Sequence, residues 1–135
     1  MSQISVKLSI LGVDALLDKL KDPEKVMGKA IPKATIALHG TIKSVTPVDT
    51  GQLRKNMKFS WDTGAIPAWG KVTNSLDHAP FVEFGTKYME ARHVSPGSSV
   101  RVMGTGPLAK GAELSQGEIE KVIKQTEKDI ENGFG

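Results

Sequence analysis

The chain has 135 residues, 39% apolar and 24% charged, which is one ordinary domain able to bury a core without metal or disulfide. It holds no cysteine, and that excludes a disulfide scaffold, a thiolate zinc site, an iron–sulfur centre and a cysteine nucleophile. Net charge is 18 − 15 = +3, unevenly placed: residues 1–68 carry ten Lys/Arg against six Asp/Glu, and residues 69–135 carry eight against nine.

Ile4, Val6, Leu8 and Ile10 share one parity against Ser5, Lys7 and Ser9, so residues 3–10 read as a half-buried strand. Val13, Leu16, Leu17 and Leu20 then follow helical spacing, predicting a short helix that stops near Lys21. Asp22-Pro23 reads as an N-cap followed by proline at the first helical position. From there Met27, Ile31, Ala34, Leu38, Ile42 and Val45 mark one face of a long amphipathic helix. Pro32 is expected to kink or split it, and Thr46-Pro47 to close it.

Met57, Phe59 and Trp61 alternate with Lys58, Ser60 and Asp62 in a second strand, with residues 68–74 as its return strand. Val100 and Val102 flank Arg101 in a weaker strand. Residues 90–111 otherwise read as a flexible loop, or a hairpin that orders in an assembly. Ser115-Gln116-Gly117-Glu118 has the form of a capping box opening the last helix, whose apolar face is Ile119, Val122, Ile123, Thr126 and Ile130. The expectation is one α+β domain over 1–135: a small antiparallel sheet packed against one long amphipathic helix and a C-terminal helix. No apolar run approaches the ~18 residues that span a bilayer, and Lys7 interrupts the first apolar stretch. We therefore expect no signal peptide, no membrane anchor and a soluble intracellular product.

Chemistry is sparse. His39, His78 and His93 form no i,i+4 pair and no ligand cluster. Gly104, Gly106 and Gly111 match neither a dinucleotide fingerprint nor a phosphate loop, because Lys110 precedes Gly111 where the phosphate loop needs it to follow. They read as hinge glycines. No catalytic, cofactor-binding or metal-ligating residue is expected.

Asp49-Thr50-Gly51 is the one motif with catalytic associations, since retroviral-type aspartic peptidases place one such Asp per chain in a two-fold dyad. Three features weigh against an Asp49 peptidase. The motif follows a helix and Pro47 rather than a strand. Gln52, Arg54 and Lys55 follow it where the peptidase is apolar. Arg54 would also hold Asp49 ionised. The structural alternative has Asp49 or Thr50 capping a turn that contains Leu53.

Six of the seven aromatics (Phe59, Trp61, Trp69, Phe81, Phe84 and Tyr88) lie between residues 59 and 88. Most are expected in the core beneath the sheet, with some left as contact anchors. Glu83 sits among apolar neighbours, and an ion pair with Arg54 is expected for it. A basic nucleic-acid-binding module is a further reading, prompted by the pI and by Arg54, Lys55 and Lys58.

Thr46-Pro47-Val48-Asp49-Thr50-Gly51-Gln52-Leu53-Arg54, a polar strand pair, and then Ala79-Pro80-Phe81-Val82-Glu83-Phe84-Gly85-Thr86 resemble the gp-ten-like tail-component family of long-tailed bacteriophages and prophages. The motif positions that carry the resemblance are Pro47, Asp49, Thr50, Gly51, Leu53, Arg54, Phe81, Glu83, Phe84, Gly85 and Thr86. The chain departs from the family pattern at Ala79-Pro80, where Tyr-Ala is usual, and in a longer, more polar stretch from His93 to Gly106. The resemblance implies a structural virion protein of the neck or tail, joining head and tail or completing the tail. It implies a ring built with copies of itself, six being one closure, and contacts with other neck and tail proteins. Passive contact with DNA in the channel would follow, with no cofactor, no membrane, and the host cytoplasm as the place of assembly. A head-to-tail ring suits the charge asymmetry, since residues 113–131 hold six acidic and three basic side chains.

Overall fold

The computed structural model describes residues 4–7, 22–48, 51–65, 68–96 and 98–133. The short helix expected at 13–20 lies outside these residues, as do Asp49 and Thr50. Among the described residues nine elements follow in chain order: β1 (Ile4–Lys7), α1 (Pro23–Ser44), α2 (Gln52–Lys55), β2 (Met57–Asp62), β3 (Trp69–Asn74), α3 (Ala79–Phe84), β4 (Arg92–Val94), β5 (Arg101–Met103) and α4 (Pro107–Glu131). This is the expected α+β architecture.

β1, β3 and β2 form an antiparallel sheet in that order, with Ile4 opposite Asn74, Met57 opposite the same Asn74, and Phe59 opposite Val72. β4 and β5 make a separate hairpin, Arg92 facing Met103 and Val94 facing Arg101. The hairpin is fastened to the body where Val94 N–H donates to Val45 C=O at 2.9 Å. So the 90–111 stretch orders as a hairpin over its first part. Its last residues already belong to α4.

α1 and α4 lie side by side on one face of the sheet, α1 over β2 and β3 and α4 over β1. Their contact is the core: Ile31, Leu38 and Ile42 of α1 meet Ile119 and Ile123 of α4 above Val72 of β3, all essentially inaccessible. Each such side chain contributes about 1.5–3 kcal/mol of burial. Asp22 caps α1 through Oδ1, which accepts from Lys25 N–H at 3.2 Å. Of the two outcomes expected of Pro32, a kink or a split, the split does not occur: α1 runs through it. The proline costs the Gly28 carbonyl its partner, but Val26, Ala30, Ile31, Ala34 and Leu38 pin the helix into the core on both sides of it.

Two further expectations fail at α4. Ser115 does not open the helix: it is buried eight residues inside it and its hydroxyl donates to Gly111 C=O at 2.7 Å. The helix instead begins at Pro107, the position where a missing N–H costs nothing. Gly106 and Gly111 are not hinges. A Cβ on Gly106 would fall 2.5 Å from the Glu83 backbone, and one on Gly111 would fall 2.8 Å from Ile42 Cα. They are the points where α4 closes against α3 and α1.

The aromatic core is also overturned. Phe59, Trp61, Phe81, Phe84 and Tyr88 are 41%, 38%, 54%, 73% and 87% exposed. The core is aliphatic, and the rings are left at the surface.

Candidate functional site

The second motif segment forms α3, and Gly85 ends that helix with φ +80. A Cβ there would lie 2.7 Å from the Met89 carbonyl and 2.8 Å from Ala91 N, so glycine is required twice over. Thr86 then closes the turn, its Oγ1 accepting from Tyr88 N–H at 3.2 Å and Met89 N–H at 3.0 Å.

Glu83 points inward and is buried. Its Oε1 accepts from Leu108 N–H at 2.7 Å and its Oε2 from Ala109 N–H at 3.2 Å. The first turn of α4 is thereby fully satisfied. Gly106 has no side chain to cap it, Pro107 has no donor, Glu83 takes the next two, and Lys110 N–H returns to Gly106 C=O at 3.0 Å. A carboxylate there also faces the positive end of a 25-residue helix. Burial nonetheless raises the Glu83 pKa, with the two backbone N–H bonds and the charge of nearby His93 opposing the rise. His93 is buried beside this joint, its Nδ1–H donating to Thr105 C=O at 2.7 Å.

Arg54 does not pair with Glu83. Its guanidinium donates to Thr46 C=O at 2.7 Å, clasping the end of α1 to α2. Gly51, at φ +79, precedes α2 in the left-handed region. Leu53 is in the core, and Pro47 is buried. Buried Asn74 was not foreseen. Its Nδ2 donates to Leu53 C=O at 2.9 Å and its Oδ1 accepts from Leu76 N–H at 3.1 Å, so it holds α2 to the end of β3. The sequence sign for it is an amide at a strand end, directly before a turn.

The motif therefore divides. Pro47, Gly51, Leu53, Arg54, Glu83, Gly85 and Thr86 hold the fold together. Phe81 and Phe84, one turn apart on α3, face solvent, next to exposed Tyr88 and Met89. Lys87 stands over the Tyr88 ring at 5.8 Å from its centroid. A second aromatic surface lies at the β2 edge. Phe59 and Trp61 stack at 5.7 Å and 15°, and the His39 ring tilts onto Phe59 at 4.7 Å while its Nε2–H donates to Met57 C=O at 2.7 Å.

Among the described residues, no group of three or more His, Asp or Glu is placed to hold a metal, and no helix is long and apolar enough to cross a membrane. Solvent-facing aromatics on a rigid frame suit protein contact.

Comparison with known proteins agrees with that reading. No curated protein and no solved structure matches the chain. The model of the HK97-gp10-like family, described as a tail component of bacteriophage HK97 (gp10), matches residues 13–85, or 85 − 12 = 73 of the 135 residues. The match takes in the first motif segment and the second as far as Gly85, Arg54 and Glu83 included, and stops before the hairpin and α4. The chain belongs to the HK97-gp10 family of bacteriophage tail components.

Proposed function

We propose that the protein is a structural piece of the phage neck or tail that joins head to tail, or completes the tail, by assembling with copies of itself into a ring and with other neck and tail proteins. One observation carries this. Within the motif that identifies the family, the inward residues are each used in holding the fold, and Phe81 and Phe84 are turned outward beside Tyr88. Interface hot spots are built from such rings. On this reading the protein performs no catalysis, takes no cofactor, assembles in the host cytoplasm and ends in the virion.

The test is electron microscopy of particles from an induced host in which the gene is disrupted. Filled heads beside separate tails, converted to infectious virions by adding purified protein, are the expected result. Intact infectious virions without the protein would remove the joining role.

A further inference from the structure

The sheet order places β1 and β2 on opposite edges, and the helices follow, α4 over β1 and α1 over β2. The molecule therefore has two lateral flanks, and their charges are opposite.

On the β2 flank, Lys25, Lys29, Pro32, Ile36, His39 and Lys43 recur along α1 at steps of four, three, four, three and four, which is one helix face. His39 fixes the direction of that face, because its ring lies on Phe59 of β2. The face carries three lysines and no acid, and Ile36 on it is 51% exposed. Below it runs the edge of β2 with the Phe59–Trp61 stack.

On the β1 flank, Glu113, Gln116, Glu120, Glu127 and Glu131 recur along α4 at steps of three, four, seven and four. Gly111 marks the side of α4 that meets α1, through Ile42. At ~100° per residue the five lie about 140–200° away from it, turned from α1. This face carries four carboxylates, with Lys110 bridging Glu113 at 3.4 Å and Lys124 at its margin.

We propose that these flanks are the two halves of one heterologous interface: the lysine and aromatic flank of α1 and β2 docks on the carboxylate flank of α4 in a second copy of this chain. The occupant follows from charge complementarity, since the α1 face is net positive, with three lysines, and the α4 face of the same molecule is net negative, its four carboxylates outnumbering Lys110 and Lys124. Two different faces meeting head to tail generate rings or filaments rather than closed pairs. The inference rests on the self-assembly proposed above and assigns the surfaces that perform it. The charges provide steering and register, and the half-exposed rings provide the apolar centre.

The experiment uses the full chain and two charge-reversed variants, with circular dichroism to confirm that each is folded. One variant is Lys29→Glu with Lys43→Glu. The other is Glu113→Lys with Glu120→Lys. Sedimentation velocity at low ionic strength reads the assembly state. The wild type is expected to assemble, each variant alone to remain monomeric, and an equimolar mixture to assemble again, because each reversed flank then meets a complementary one. Should either variant assemble alone as the wild type does, or the mixture stay monomeric, the flank assignment falls while self-assembly stands. A wild type that stays monomeric at every concentration and salt would overturn the self-assembly reading and this inference with it. Trp61→Ser gives an independent readout. It is expected to weaken assembly at least tenfold without unfolding the chain, and unchanged assembly would remove β2 from the interface.

Discussion

The Glu83 carboxylate lies 2.7 Å from Leu108 N–H, 25 positions further along the chain, and caps a helix to which it does not belong. This contact ties α3 to α4. Replacing Glu83 by Ala should leave the buried Leu108 N–H and the part-buried Ala109 N–H without their acceptors and cost about 1–3 kcal/mol, read from urea denaturation at neutral pH. A loss below about 0.5 kcal/mol would mean that water or a shifted neighbour replaces the carboxylate.

The same group makes stability depend on pH. Burial raises the folded pKa of Glu83 above its ordinary 4.5, so the folded chain holds that proton more tightly than the unfolded chain. The stability tied to that proton is fully present below pH 4.5 and is lost as pH rises through the raised value, while the N–H bonds to the carboxylate persist. The wild type should therefore lose ground to Glu83→Gln as pH rises from 4.5 through the raised value, read as the difference in urea midpoints. Parallel profiles for the two proteins would show that Glu83 ionises in the fold as it does in water.

Arg54 and Glu83 have separate partners, Thr46 C=O for one and the start of α4 for the other. Their substitutions by Gln should each destabilise, and the double variant should lose the sum to within about 0.5 kcal/mol. Coupling above about 1 kcal/mol would restore a shared network.

Two glycines of α4 should respond with opposite sign. Gly117 has open space around it in mid-helix, so Gly117→Ala should stabilise by about 0.5–1 kcal/mol. Gly111 is pressed against Ile42, so Gly111→Ala should destabilise by about 1–3 kcal/mol. Thermal denaturation of the two variants side by side measures both.

Phe84 is 73% exposed, so Phe84→Ser should change stability by no more than about 0.5 kcal/mol. The proposed function requires the same variant to fail in restoring infectivity to particles that lack the protein. Full restoration would separate the α3 surface from assembly.

The elements that show in the sequence are those whose pattern is local. α1 shows because its buried positions repeat over six turns. β2 and β3 show because they alternate or lie beside a turn. The burial of β2 does not. Met57, Phe59 and Trp61 share one parity, yet α1 covers only the Met57 end and leaves the two rings half in solvent. The start of α4 is equally hidden, since its cap comes from another helix and Ser115 offers a local imitation of one. For Glu83, sequence reasoning finds a buried structural carboxylate but supplies a cation as its partner. Two backbone N–H groups at a helix start have no side chain by which to announce themselves. Phe81 and Phe84 look like core residues for the same reason: composition alone does not tell which side of α3 faces out.

The packing of Ile42 against Gly111 also orders events during synthesis. The two positions are 111 − 42 = 69 residues apart. At ribosomal rates that separation takes roughly 3–14 seconds to make. Throughout that interval the apolar side of α1, Ile31, Leu38 and Ile42, has no second helix to cover it. A growing chain in this state is a natural client for chaperones. A product cut short before α4 would never leave that state, and the cell's proteases, rather than the virion, would be its destination.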